Sequence, residues 1–517
     1  MKSNAAENLN RGREVFARAR MHAEQTEATL AGEAMAKKSH TDLEAFCAKQ
    51  GREWARLLLE EHLELRADAE RRVEVTGSDG VERRRARDSQ RKLETIVGPV
   101  EVPRMAYQAP GAEDLHPMDA ALNLPREKFS FGVRRLVAKE AARASFDDVV
   151  EMVADYKGTT IGKRQVEELA VRAAQDFDAF YGLRDLPQSS SSDLLVLSTD
   201  SKGINMRPED LREETKKRAK ASRRKLQTRL SGGEKKNRKR MAQVASVYSV
   251  APWERSPADV LHGLKSKETD KTRPKVYGKR VWASVEDSYD KVIRGMFEEA
   301  LRQDPERRRR WVVLVDGDVK QLRAVKAEAR RVQVKITVVL DIVHVIEYVW
   351  RAARALFGEA NPDAEPWVSD RLLQLIGGST GGQVSKTIRG WAQRRELKGS
   401  RLRALNEACA YLSDRSRTRA MRYLEALQDG LPIATGVIEG ACRYVVKDRM
   451  DRTGARWSLT GAEAVLRLRA IRASGDFDAY WAFHLEQEHV RNHSTRYADG
   501  QIPDPIPTKK PRLKRVK

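Results

Sequence analysis

Trp311-Val-Val-Leu-Val-Asp-Gly-Asp318 is the stretch on which the reading of this chain turns. Five apolar residues in a row, three of them valine, are too short for a buried helix. They suit a strand covered on both faces, as the inner strands of a parallel or mixed sheet are. The run stops abruptly at an acid, a glycine and a second acid, so a carboxylate is delivered where the strand ends. The pattern recurs in Leu194-Leu-Val-Leu-Ser-Thr-Asp200 and in Val334–Leu340 followed by Asp341.

Working outward, residues 244–250 (VASVYSV) and 280–285 (RVWASV) read as two further strands. Helices are expected over 287–302, 319–331 and 342–357, the last carrying His344, Glu347, Trp350 and Arg351. Residues 358–430 read as polar and all-helical, interrupted by the glycines of 377–382, and a helix follows over 436–450 with Glu439 in its first turn. The order is strand with Asp, two strands, helix, strand with Asp, helix, strand, helix, long insertion, helix with Glu. That is the order of a ribonuclease-H-like α/β core with an all-α insertion. In such a core the two Asp-bearing strands lie side by side, and a late helix carries a carboxylate across their ends.

Three converging carboxylates repel and raise one another's pKa unless a cation is present. Two Mg²⁺ ions, with Mn²⁺ as a substitute, relieve that repulsion and retain water and phosphate as their other ligands. Such a pair, about 4 Å apart, serves in-line phosphoryl displacement. Asp200, Asp316 and Glu439 are therefore the expected metal-binding and catalytic residues. On the 436–450 helix, Ile438, Ala441, Cys442 and Val445 form an apolar face. Glu439, Arg443 and Lys447 recur every four residues, which places two DNA-contacting cations beside the carboxylate. The plainer alternative is an exposed Glu439–Arg443 ion pair of little consequence. Asp318 competes with Asp316 as a ligand. Asp341 reads first as the N-cap of the helix after it, and His344, one turn on, as a core or supporting group.

Composition bounds the partners. Lys and Arg number 98 against 75 Asp and Glu, a formal charge of +23, which calls for a polyanion. Thirteen cations fall in 216–240 with Glu234 the only acid, a disordered arm or phosphate-touching loop in which Arg223 and Arg224 are DNA-contact candidates. Three cysteines without a CxxC pair argue against a disulfide scaffold or a cysteine-rich zinc site and for a reducing, cytoplasmic compartment. The opening residues lack the apolar core of a secretory signal. No apolar run of about 18 residues exists to span a bilayer, and the basic runs lack the interleaved apolar residues of a membrane-surface helix. Upstream, 1 to about 72 reads as helix, 95–107 as a β segment turning at Gly98-Pro99, 108–125 as a proline-bearing linker, and 188–192 as a flexible joint. Between 130 and 178 three helices are expected. The third has Ile161, Val166, Leu169 and Ala173 on its inner face and Lys163, Arg164 and Gln165 protruding. That suits either a helix-turn-helix reading the major groove or an ordinary helical cap.

The block Thr435-Gly-Val-Ile-Glu-Gly-Ala-Cys-Arg-Tyr-Val-Val-Lys-Asp-Arg-Met450, with Gly454–Ser458, Ala462–Ile471 and Phe477–Trp481, resembles the signature of bacterial insertion-sequence transposases of the ISKra type. Val315–Asp318 and Val339–His344 resemble that family and its Mutator-like relatives, which place an acid or cysteine, two residues, then His after the second Asp. The resemblance spans roughly 90–484. It implies a DDE transposase in which Asp200, Asp316 and Glu439 are the acidic triad and Asp341 and His344 are auxiliary. Such an enzyme would bind terminal inverted repeats and join DNA ends to a target as a dimer or higher oligomer on the bacterial nucleoid. The rivals are a structure-selective nuclease that does not join strands, and a non-catalytic nucleic-acid-binding protein. The expected organisation is an N-terminal helical and short β region (1–125), a helix-turn-helix-like region (126–187), the first part of the core (188–357), the α-helical insertion (358–430), the core's C-terminal helices (431–495) and a basic disordered tail (496–517).

Overall fold

Leu194–Asn205 is the spine of a five-stranded mixed sheet. A computed structural model describes residues 15–157, 161–186, 190–221, 231–265, 273–434, 436–452 and 454–506. Contacts divide the chain into two units, Met1–Gly182 with Phe477–Lys517, and Leu183–Asp476.

The second unit holds the sheet. Its strands are β3 (Leu194–Asn205), β4 (Lys239–Val250), β5 (Tyr277–Ser284), β6 (Trp311–Val315) and β7 (Ile336–Leu340), in the order β5-β4-β3-β6-β7. β3 runs antiparallel to β4 and β4 to β5, whereas β3–β6 and β6–β7 are parallel. A parallel neighbour needs a crossover. The helices Tyr289–Gln303 and Val319–Arg331 supply the two crossovers. Tyr289–Gln303 packs on β3 and β4 and Leu459–Ser474 on β5, and all five residues of β6, which lies between β3 and β7, are buried, as the uninterrupted apolar run requires. The Trp311 indole is fully buried and its N–H finds the Asp304 carboxylate at 2.8 Å. Ile342–Phe357 follows β7 and packs against Ala364–Ile376 and Gly399–Ser416 of the helical segment, which also contains Gly381–Arg394 and Tyr423–Gln428.

Several boundaries differ from the sequence reading. Asp200 does not end its strand: parallel pairing with β6 stops before it, while antiparallel pairing with β4 continues to Asn205. β4 begins at Lys239, so the end of the basic stretch belongs to the sheet, and Arg240 donates to the Val285 and Asp210 carbonyls. Residues 213–221 and 232–236 of that stretch are helical. Arg223 and Arg224 lie outside the described residues.

In the first unit, His40–Ala69 is capped by Ser39, whose side chain accepts from the Asp42 amide. This helix packs on β2 (Gly98–Gln108), which pairs with β1 (Arg85–Thr95) in an antiparallel hairpin. Gly98 thus opens a strand instead of making a turn with Pro99. The turn is Thr95–Gly98, and glycine meets the φ of 125° there while its carbonyl accepts from Thr95 Oγ1. The expected 108–125 linker is packed structure. Leu115 exchanges backbone bonds with Tyr107, and Met118 is buried in the helix Pro117–Ala121. Phe131–Ala141, Phe146–Lys157 and Lys163–Ala174 bury Val133, Val137, Val149, Val153, Ile161, Val166 and Leu169 against one another. Ser145 and Asp148 close the capping box that starts the second of these helices. Phe477–Asn492 belongs to this unit, whereas the sequence reading ran the core to 495. Tyr497 is buried and bridges Gly77, so 496–506 is packed and not a disordered tail; 507–517 is outside the described residues. No helix among the described residues is long and apolar enough to cross a membrane.

Candidate active site

The sheet register builds the site. Leu195 pairs with Trp311 and Ser198 with Leu314, so two steps further along both strands Asp200 stands level with Asp316. Trp311 pairs with Ile336 and Val315 with Leu340, so one step further Asp316 stands level with Asp341. Equivalent positions on parallel neighbours share a face, with strands about 4.8 Å apart. Three carboxylates therefore form a row across β3, β6 and β7. The Asp341 amide donates to the Val315 carbonyl at 2.9 Å, which carries the register past the last strand pair.

Each acid is partly tied. Asp200 Oδ1 accepts the Ser201 amide at 2.6 Å, and its Oδ2 meets the buried Cys442 thiol at 3.1 Å. Asp316 Oδ1 accepts the Asp318 amide at 2.8 Å. Asp318 itself caps Val319–Arg331, accepting from Lys320 and Gln321. Asp341 is buried and its Oδ1 caps Ile342–Phe357 through the Val343 amide at 2.9 Å. The cap expected from the sequence is present, and the same carboxyl also faces Glu439.

Glu439 comes from the short helix Gly436–Ala441, which packs against β3, β4 and β5. Ile438, Ala441, Cys442 and Val445 are buried as their spacing foretold. The helix is not regular, however. From Cys442 to Lys447 it widens to π geometry before one α turn, Asp448–Met450. The wider turn breaks the four-residue row, and such segments recur at functional sites. Arg443 is exposed and lies 3.7 Å from Asp448, so the plainer alternative, a Glu439–Arg443 ion pair, is not formed; Lys447 is also exposed. Both Glu439 carboxyl oxygens are buried, and among the described residues no side chain other than the Asp341 carboxyl engages them. The group facing them is the Asp341 carboxyl, a contact that closes only when one of the two carries a proton.

The electrostatics follow. Burial, then the Asp341 carboxyl, then Asp200 push Glu439 up to about 8. Burial also raises Asp316, aided by the charges of Asp200 and Asp318 and opposed by the Asp318 amide and by His344. Burial and Asp200 hold the Cys442 thiol far above the usual thiol range. Asp200, Asp316, Asp341, His344 and Glu439 are thus brought to one place. Clustered, mutually repelling hard oxygens are a donor set that fits hard divalent cations.

Three supporting residues gave little signal in the sequence. Gln321 is buried; its Oε1 accepts the Asp316 amide at 3.1 Å and its Nε2 donates to the Thr199 carbonyl at 2.9 Å, tying the two strand ends together. Tyr411, from the helical insertion, donates to the Asp316 carbonyl at 2.8 Å and stacks on Tyr348 with ring centroids 3.7 Å apart. Cys442 was read only as an apolar residue.

A second cluster lies in the first unit. Among the described residues, Asp176, His484 and Glu488 alone bring three potential ligand atoms within 4.8 Å of one another; the Asp200, Asp316 and Glu439 set is more open. Its donors are already engaged. Asp176 takes His484 Nδ1 at 2.6 Å and Arg491, and Glu488 takes Arg134 at 2.6 Å, Gln175 at 2.7 Å and Arg491. His484 Nε2 faces the Arg134 guanidinium at 3.1 Å, so this nitrogen accepts while Nδ1 donates to Asp176. A metal would have to displace two guanidinium groups, so this cluster is a structural lock.

On the third helix of the expected helix-turn-helix, Lys163, Arg164 and Gln165 are exposed. Lys163 pairs with Asp147 at 2.6 Å and Arg164 with Glu168 at 3.0 Å, while Gln165 accepts the Gly162 amide at 3.0 Å. No protein-family model matches the chain, and no curated protein matches it either.

Proposed function

We propose that the chain is a DNA transposase whose ribonuclease-H-like core hydrolyses a phosphodiester at an element end and joins the freed 3′-hydroxyl to target DNA. The observation that carries this reading is the acid row, Asp200–Asp316–Asp341, set by register and completed by the buried Glu439 carboxyl that faces Asp341. The sheet order β5-β4-β3-β6-β7, three antiparallel strands followed by two parallel ones, supports the core assignment. Asp200, Asp316 and Glu439 would hold two Mg²⁺ or Mn²⁺ ions, with Asp341 and His344 beside them. Such ions, when bound, polarise the phosphodiester and stabilise the leaving oxygen. The chain's own part is positioning. Asp200 and Asp316 come from adjacent strands pinned by Gln321, Tyr411 fixes the peptide after Asp316, and Glu439 gives up the proton that its contact with Asp341 requires. In hydrolysis water attacks phosphorus, the bond to the 3′ oxygen breaks and a 3′-hydroxyl is left. In joining, that hydroxyl attacks a target phosphodiester.

The test incubates the full chain with supercoiled plasmid and with pre-cleaved DNA ends in Mg²⁺ or Mn²⁺. Nicking and joined product are expected from the wild type and neither from Glu439→Gln or Asp200→Asn, with DNA binding retained. Cleavage without joining would replace the transposase by a nuclease. Binding without cleavage in the wild type would remove the enzymatic reading.

A further inference from the structure

Arg415 is a cation beside the acid row that, among the described residues, has no counter-charge of its own. It lies on Gly399–Ser416 of the helical insertion, four residues after Tyr411, and therefore on the same face. Tyr411 holds the Asp316 carbonyl at 2.8 Å, and the Arg415 guanidinium lies 5.6 Å from the Tyr411 ring. Together the two side chains clasp the turn Asp316-Gly317-Asp318. A Cβ built on Gly317 would stand 3.1 Å from Arg415 Nε, 3.2 Å from its Cδ and 2.7 Å from Leu340 Cδ1. Glycine is thus required there by this approach as well as by its φ of 88°.

Several arginines of the same helical segment have partners. Arg351 pairs with Glu407, Arg417 with Asp414 at 3.9 Å and Arg422 with Glu425 at 3.0 Å, while Arg401 donates to the Ala355 carbonyl at 2.7 Å. Arg415 has no ion pair and no side-chain hydrogen bond among the described residues, and its Nε is buried without an acceptor. An unpaired buried donor on a permanent cation is costly, and a planar guanidinium is the group best shaped to grip a phosphate with two parallel N–H bonds.

We propose that Arg415 binds a phosphate of the DNA strand processed at the acid row, so that the helical insertion supplies a substrate contact. This rests on the reading of the acid row as a phosphodiester site, and the experiment separates the two. Wild type, Arg415→Gln and Arg415→Lys, each as the full chain, are compared in two measurements. One is anisotropy binding of a nicked duplex oligonucleotide in Ca²⁺ across a salt series. The other is single-turnover nicking of supercoiled plasmid in Mn²⁺.

For one phosphate contact the slope of log affinity against log salt falls by about 0.9 in Arg415→Gln and stays at the wild-type value in Arg415→Lys. The nicking rate falls on the order of 100-fold in Arg415→Gln, the scale for losing one donor to a reacting group, and less in Arg415→Lys. A wild-type slope in Arg415→Gln overturns the proposal whatever the rate, because a purely structural loss slows nicking without removing a phosphate contact. If the wild type binds but does not nick, the phosphodiester reading fails while the slope still decides Arg415. If the wild type binds no duplex, both fail. If circular dichroism shows Arg415→Gln unfolded, Arg415→Met takes its place in both measurements, with a slope lowered by about 0.9 expected and a wild-type slope overturning the proposal.

Discussion

Gln321→Leu removes the link between the two central acids without emptying the space it fills. The wild-type amide satisfies the Asp316 N–H at 3.1 Å and the Thr199 carbonyl at 2.9 Å. Leucine occupies nearly the same volume and pairs with neither. Leaving a buried backbone group unpaired costs about 1–3 kcal/mol, and two such groups, offset by the extra apolar burial, come to about 2–4 kcal/mol. The helix start is spared, because the Gln321 amide is capped by Asp318 through the backbone. Hydrogen exchange read by mass spectrometry reports the effect at the Asp316 amide. At about 1.4 kcal/mol per tenfold, its protection is expected to fall on the order of 30- to 1000-fold. Gln321→Glu separates the two bonds: it can still accept from Asp316, so that amide stays protected while the Thr199 side of the link is lost. An Asp316 amide as protected in Gln321→Leu as in the wild type would refute the claim that this side chain fixes the strand ends.

Other outcomes follow from the same contacts. Glu439 is raised to about 8 from an ordinary 4.5, so below pH 4.5 the folded and unfolded chains both hold the proton and no cost arises. Between about pH 5 and 8 only the folded chain keeps it, so the melting temperature in chelator is expected to fall as pH rises, and Glu439→Gln or added Mg²⁺ should flatten that fall. Arg134→Met removes a fully buried cation from Glu127 and Glu488, which keep Arg172 and, for Glu488, Gln175 and Arg491, and is expected to cost about 1.5–3 kcal/mol in urea unfolding of the first unit, partly recovered by adding Glu488→Gln. His493 is buried, its Nε2–H on the Leu124 carbonyl at 2.9 Å, and burial lowers it to about 4 from 6.5. Its unfolded form gains a proton first, so stability is full above pH 6.5 and falls by about 3 kcal/mol toward pH 4, a loss that His493→Gln should remove from a pH series of urea midpoints.

The parts legible in the sequence were those where one physical demand acted alone. β6 needed only to be buried on both faces, and its five apolar residues marked it end to end. β1 was missed because it is a polar arm of a two-stranded hairpin, where of Arg85–Thr95 only Leu93 and Thr95 are buried. Asp200 was placed at a strand end because the apolar run stops before it; that β3 continues along β4 depends on a partner the run does not reveal. Asp341 carries two demands on one carboxyl, capping with one oxygen and facing Glu439 as well, and its position in sequence advertises only the first. The Glu439–Arg443 row assumed 3.6 residues per turn, and the π segment removed it. Gln321 and Tyr411 act through backbone groups, so their residue types announced nothing.

Anomalous diffraction from crystals of the full chain soaked in Mn²⁺ tests the acid row most directly. Two peaks within bonding distance of the Asp200, Asp316 and Glu439 carboxylates, with Glu439 drawn away from Asp341, are the expected result. Carboxylates still paired with each other and no peak beside them, at Mn²⁺ concentrations that saturate divalent-dependent nucleases, would contradict the account.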